Sequence, residues 1–244
     1  HQAGLVLHLL APNPKPSSAG FTLHQTPQRR DGAIIYQDKQ VLLPERLEAT
    51  FLTSAPDLRR CPPADAPEVA FAGRSNAGKS SVLNQLSGNR RTAKVSKTPG
   101  RTQLLNFFDV RQGGRLVDLP GYGYAKATVN AQQQWQKAVN QYLSYRDSLV
   151  GLVLVMDIRH PNQPFDEDML NWAKESELPI HILLNKADKL GRNAQQQALS
   201  HMRRLYTDHP TASMQCFSAT KGTGKAQLLA LLLEWLAAPL ENTE

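Results

Sequence analysis

From about Pro67 onward, short apolar runs alternate with longer amphipathic ones. Leu149–Met156 and Ile180–Leu184 are continuous apolar runs, the signature of central strands buried on both faces. Val69–Ala72 is a shorter run that ends at Gly73, and Met214–Phe217 is the last of the series. Leu104–Val110 and Arg115–Leu119 flank Arg111-Gln112-Gly113-Gly114, which predicts a hairpin. Between the runs lie predicted helices at Ser80–Leu86, closed near Gly88, at Phe165–Ser176, at Ala194–Tyr206 and at the Leu-rich Lys225–Ala237. Asn130–Arg146 is a further helix, with Trp135, Ala138, Val139 and Tyr142 on one stripe. The alternation predicts an α/β domain with a mostly parallel central sheet, helices on its flanks and one antiparallel hairpin.

Residues 1–44 break this pattern. Pro12, Pro14, Pro16, Ser17, Ser18 and Gly20, then Pro27, Arg29 and Arg30, accompany no sustained period, so a disordered or non-native extension is expected. The expected organisation is this extension, a lead-in at 45–66, the domain at 67–238 and a tail at 239–244, with no internal repeat. The chain opens on His1 and its first Met is Met156, so the extension does not start at an ordinary start methionine.

A length of 244 residues suits one such domain plus an attached segment, and a 41% hydrophobic content supports a sizeable core. Cys61 and Cys216 are far apart and form no ligand spacing, which points to a reducing compartment rather than a disulfide framework. No run approaches the roughly eighteen apolar residues of a membrane span. Gly4–Ala11 is apolar but holds His8 and lacks a basic flank, so a signal peptide is not expected. The net charge of +7 is localised: Arg74, Lys79, Arg90, Arg91, Lys94, Lys97, Arg101, Arg111 and Arg115 face Asp109 alone within that stretch. Such a surface attracts polyanions.

Gly73-Arg74-Ser75-Asn76-Ala77-Gly78-Lys79-Ser80 fits G-x-x-x-x-G-K-[ST], a pattern met by chance in a chain this long roughly one time in a hundred. An apolar strand precedes it and a helix follows, as a phosphate-binding loop requires. The glycines let backbone N–H groups wrap phosphate oxygens, and the helix starting near Ser80 adds the positive end of its dipole. Lys79 is expected on the β- and γ-phosphates and the Ser80 hydroxyl on Mg²⁺. The fold class is therefore α/β, that of a P-loop NTPase.

Asp118-Leu119-Pro120-Gly121 is a D-x-x-G, which composition alone supplies about once per chain. Asp188-Lys189-Leu190-Gly191 matches too. The first copy is selected by its place at a strand end, 39 residues after Lys79. There Asp118 can hold a water on Mg²⁺, and the Gly121 N–H can face the γ-phosphate.

Asn185-Lys186-Ala187-Asp188 follows the apolar run Ile180–Leu184, at a strand's carboxyl end. A carboxylate at Asp188 can accept from guanine N1–H and N2–H₂, whereas adenine would leave it facing a lone pair. Such a mismatch discriminates by about 10⁴. Asn185 can brace the neighbouring loops and the Lys186 stem can lie over the base. Just past Phe217, Ser218 and Ala219 can offer backbone N–H groups to guanine O6. A threonine between the first helix and Leu104 can reach Mg²⁺ only when the γ-phosphate is present. Thr98 and Thr102 both qualify, and position favours Thr102.

The runs GRSNAGKSS, SKTPGRTQLLNFF, LVDLPGYGYAK, MDIRHP and LLNKADKL resemble those of the EngB (YihA-type) GTPases, within the TrmE–Era–EngA–YihA–septin-like superfamily. The resemblance covers about Leu47 to Leu236 and implies the Ras-like G-domain form of the P-loop NTPase fold. It implies a GTP-binding, GTP-hydrolysing assembly factor of the bacterial large ribosomal subunit, cytoplasmic and monomeric, with a historical association with cell division. It also implies Ser80 and Thr102 on Mg²⁺, and Gly100, Arg101, Thr102, Gln103 and Leu104 as the first switch. Many relatives carry Thr where this chain has Asn185. The extension has no counterpart in the family.

Tyr122 follows the D-x-x-G, where many GTPases place a glutamine that orients the attacking water. Tyrosine cannot do that equivalently, so slow basal hydrolysis is expected, with help from an ion, Arg101, Lys126 or the ribosome. Asn76 is the candidate residue for holding K⁺ near the phosphates. Two rivals stand beside this reading, a P-loop ATPase or kinase and a nucleotide-gated adaptor with negligible hydrolysis. Arg90, Arg91, Lys94 and Lys97 are the candidate contacts to ribosomal RNA, with Arg203, Arg204 and Lys221 as the fallback.

Overall fold

The computed structural model describes residues 28–30, 33–36, 39–41, 43–89, 104–122 and 129–240. Seven of its strands form one sheet: β4 (Ala49–Ala55), β5 (Glu68–Gly73), β6 (Leu105–Val110), β7 (Arg115–Asp118), β8 (Leu149–Asp157), β9 (Ile180–Asn185) and β10 (Ala212–Cys216). Their order across the sheet is β10-β9-β8-β5-β7-β6-β4, and β6 alone runs against the others. Three shorter strands, β1 (Gln28–Arg30), β2 (Ala33–Tyr36) and β3 (Lys39–Val41), pair antiparallel in a separate sheet.

Alternate residues of a strand point to opposite faces, and here both faces are apolar. In β8, Leu152, Leu154 and Met156 join one core, while Val153 and Val155 join the other. The first core is closed by α2 (Val129–Tyr145), α3 (Pro164–Glu175) and α4 (Arg192–Leu205). The second is closed by α1 (Lys79–Ser87) and α5 (Lys225–Leu236). Gly151 interrupts the apolar run of β8 because Trp235 of α5 lies on it; a Cβ there would sit 2.4 Å from the indole ring.

The predicted elements appear within two residues of their expected ends, and α1 stops at Gly88 in the left-handed conformation that favours glycine. Two strand assignments differ. The last strand is Ala212–Cys216, and Phe217 leaves the ladder to become a buried part of the loop that follows. The lead-in segment contributes β4, which pairs with β6. Its register shifts between Phe51 and Thr53, and Thr50, Phe51 and Leu52 are exposed, so a half-buried alternation never forms. Of the predicted stripe, Ala138, Val139 and Tyr142 are buried, and the Trp135 side chain lies outside the described residues.

The lead-in is fastened at the base of the sheet. Glu68, fully buried at the start of β5, receives Arg146 Nε at 2.9 Å and the Tyr142 hydroxyl at 2.9 Å on Oε2, and Arg146 Nη2 on Oε1. The same Arg146 Nη2 donates to the Pro62 carbonyl at 2.8 Å, and Arg115 Nη1 donates to the Pro63 carbonyl at 2.6 Å. Burial, then the Glu68 charge, push the Tyr142 phenol well above its ordinary range. Removing one partner of such a pair strands a buried charge. Arg146→Ala should therefore lower the unfolding free energy by about 3–5 kcal/mol, read as a lower urea midpoint.

Candidate functional site

Four neighbouring strands end at one edge of the sheet: β9 at Asn185, β8 at Asp157, β5 at Gly73 and β7 at Asp118. Parallel sheets bind ligands at that edge. The segment Gly73–Ser80 turns there and enters α1, with Asn76 at φ +67° and Gly78 at φ +101°. Gly78 is required twice over, since a Cβ would also lie 2.3 Å from Asn185 Nδ2. Lys79 and Ser80 occupy the first turn of α1, and the Lys79 ammonium contacts Asp118 Oδ1. Both of these side chains are largely buried.

A second loop packs against the first. Asn185 Nδ2 donates to the Ala77 carbonyl at 2.9 Å, and Lys186 Nζ donates to the Asn76 carbonyl at 2.6 Å. The Lys186 ammonium also pairs with Asp157 Oδ2 at 2.9 Å, and Arg159 grips the same carboxylate with Nε at 2.9 Å and Nη2 at 2.6 Å. These partners, Arg159 first, hold the Asp157 carboxyl well below its usual range. Asp188 lies in the 3-10 turn Ala187–Lys189, where its Oδ1 accepts the Ser218 hydroxyl at 2.6 Å. That bond lowers its pKa, so the carboxylate is charged. The Ala219 N–H approaches Asn185 Oδ1 at 3.4 Å, and the Phe217 carbonyl accepts the Ala187 N–H at 3.0 Å.

Of the residues singled out in the sequence, Gly73 to Ser80, Asp118 to Gly121, Asn185 to Asp188 and Phe217 to Ala219 meet at this one edge. In the first switch, Leu104 is described, whereas Gly100, Arg101, Thr102 and Gln103 lie outside the described residues, as do Thr98, Lys126 and the cluster Arg90, Arg91, Lys94 and Lys97. A serine hydroxyl and a carboxylate beside a lysine suit Mg²⁺ shared with phosphate oxygens. Among the described residues no group of three His, Cys, Asp or Glu side chains could cage a metal alone.

Two contributors escaped sequence reasoning. Asp157 ends an apolar run and nothing in spacing ties it to Lys186. The other is the partner of Tyr122. The Tyr122 hydroxyl donates to Asp166 Oδ1, while Asp166 Oδ2 accepts the Gln163 N–H at 2.9 Å at the start of α3. The Tyr122 ring stacks on Phe165 with centroids 3.9 Å apart, and its carbonyl accepts the Ser75 N–H at 2.7 Å. Burial first, then Asp166, push the phenol well above its ordinary range, and burial pushes the Asp166 carboxyl up. Tyr122 is thus a buried clamp between the phosphate loop and α3.

Comparison with known proteins agrees with this geometry. The profile of the 50S ribosome-binding GTPase family matches residues 68–186. The chain is 50% identical over 193 residues to the probable GTP-binding protein EngB of Vibrio parahaemolyticus, covering 79% of this chain and 88% of that one. It is also 50% identical over 190 residues to that of Hydrogenovibrio crunogenus, covering 78% and 90%. A solved structure of a probable GTP-binding protein engB shares the fold with a TM-score of 0.58 at 21% identity, over 69% of this chain and 98% of that one. Era solved with MgGDPNP and a 16S ribosomal RNA segment shares it at 0.52 and 23% identity, over 73% and 59%.

Tyr122→Phe keeps the stacked ring but leaves a buried Asp166 oxygen without its donor. Thermal or urea unfolding should show a loss of about 1–3 kcal/mol.

Proposed function

The chain belongs to the EngB family of GTP-binding proteins, and we propose that it acts as a GTP-hydrolysing switch in the assembly of the large ribosomal subunit. The observation that carries the nucleotide reading is the Asp188 carboxylate, charged and fixed by Ser218 beside a phosphate loop that Asn185 holds in place. In this reading Gly73–Ser80 wraps the phosphates and Lys79 neutralises the β- and γ-phosphates. Ser80 and a water on Asp118 would hold Mg²⁺, which would offset the phosphate charge. Thr102 would complete that set in the GTP state, and the Gly121 N–H would meet the γ-phosphate.

Because Tyr122 is clamped to Asp166, it leaves the attacking water without the orienting amide that many GTPases supply. Hydrolysis by the isolated protein is therefore slow. Asn76 is exposed at the tip of the loop, and a K⁺ held there would be a partial substitute. The ribosomal role is supported by the family's 50S-binding description and by the basic excess between Arg74 and Arg115. In this reading the protein acts as a cytoplasmic monomer needed for normal cell division. Among the described residues no helix is long and apolar enough to cross a membrane.

Asp188→Asn replaces an acceptor pair with an amide that suits the C2 oxygen of xanthine. Titrations should show guanine nucleotide affinity falling by orders of magnitude and xanthine nucleotide affinity rising. Wild-type GTP affinity in that variant would remove Asp188 from base recognition. The partner is tested by sedimentation with large ribosomal subunits. Co-sedimentation should be strongest with a non-hydrolysable GTP analogue and weaker with GDP, and equal recovery in both would exclude a nucleotide switch.

A further inference from the structure

On the face of the sheet covered by α5, the strands at the β10 end carry polar side chains beside the apolar ones of the core. Val153 and Val155 of β8 and Leu183 of β9 belong to that core. His181, two residues before Leu183, is buried on the same face, beside Ser213 and Gln215 of β10. Burying polar groups in a core costs stability unless every donor and acceptor is satisfied.

These groups are satisfied in one direction. Gln215 Nε2 donates to the Gly224 carbonyl at 2.8 Å, which leaves Gln215 Oε1 as the acceptor facing His181 Nε2 at 3.2 Å. His181 therefore carries its proton on Nε2, and its Nδ1 accepts the Ser213 hydroxyl at 2.7 Å. Burial holds the His181 pKa down at about 4, so the neutral ring and its single tautomer persist throughout the neutral range. The result is a relay of three hydrogen bonds from the edge strand to Gly224.

Gly224 closes the loop that contains Ser218. The Ser218 N–H donates to the Thr223 carbonyl at 3.1 Å, and the Gly222 N–H donates to the Ser218 carbonyl at 2.8 Å. The other end of the loop is held at Phe217, whose N–H donates to the Leu184 carbonyl at 2.9 Å. Gly224 sits at φ +78°, and a Cβ there would lie 2.5 Å from the Cys216 carbonyl oxygen and 2.6 Å from Gln215 Nε2. The loop's second anchor is thus pressed onto the glutamine amide. Moving that anchor moves Ser218, and Ser218 orients the Asp188 carboxylate.

We propose that Gln215, oriented by His181 and Ser213, is a positioning residue for guanine recognition. It touches no nucleotide atom and acts through Gly224 and Ser218 on Asp188. The proposal rests on the guanine reading of Asp188 given above.

The test compares affinities for GDP and IDP, which lacks the 2-amino group that Asp188 reads. Gln215→Met fills a similar volume but leaves the Gly224 carbonyl and His181 Nε2 without partners. Its GDP affinity should fall about tenfold, and the GDP-to-IDP preference should shrink with it, because a displaced carboxylate loses its bond to the 2-amino group. Ser213→Ala breaks only the outermost bond, at a partly exposed position, and should shrink the preference about two- to threefold. In wild type the preference should stay flat between about pH 6 and 8, since His181 does not titrate there. A lower melting temperature with an unchanged GDP-to-IDP ratio would make the relay structural only and overturn the proposal. If Gln215→Met does not fold, an unchanged ratio in Ser213→Ala overturns it equally. A wild-type protein that binds GDP and IDP alike would instead sink the guanine reading, and the relay's role with it.

Discussion

The bond from Asn185 Nδ2 to the Ala77 carbonyl joins the two loops on which the site depends. One loop issues from β5 and the other from β9, and β8 lies between them. Strand register brings the loop stems to the same height, but register alone leaves each loop free to tilt. A buried amide bonded to a buried carbonyl removes that freedom, because breaking it would leave both groups unsatisfied. Gly78 allows the approach, since any side chain there would occupy the space of the amide. The separation of the two loops is thereby fixed before any ligand arrives, which cuts the ordering cost of binding.

The buried polar groups of this domain follow one logic. Glu68 and Arg146 tie the lead-in to the foot of β5, Asp166 ties Tyr122 to α3, and His181 with Gln215 ties β10 to Gly224. Each could be replaced in principle by apolar packing, which fills space more cheaply than a desolvated charge or amide. Apolar packing is not directional, however. At each of these places a loop or a chain segment without regular structure must be held in one orientation, and a saturated hydrogen-bond set does that.

The sheet was legible because it is buried on both faces. Leu149–Met156 and Ile180–Leu184 admit no polar residue except His181 and no helical period, so strand assignment follows from composition alone. β4 was illegible for the opposite reason, being an edge strand with an irregular register and three consecutive exposed residues. The nucleotide motifs were legible because phosphate wrapping and base reading each demand particular residues within a few positions of one another. Asp157, Asp166 and Gln215 were not, because each acts on a residue 29, 44 or 9 positions away through the fold. A sequence shows that an aspartate follows Met156 or that a glutamine sits in a strand; only the pairing of strands and helices gives them partners.

Tyr122 shows how such a hidden partner changes a mechanism. Read from sequence, it is the wrong residue at the place of a water-orienting glutamine. In the fold it is a clamp, with its ring on Phe165, its hydroxyl on Asp166 and its carbonyl on the Ser75 N–H. The residue beside Gly121 is therefore held by the phosphate loop and α3 together. The same fixation keeps the phenol away from solvent. A phenol bonded to Asp166 is not available as a donor elsewhere, so any help in hydrolysis has to come from another group.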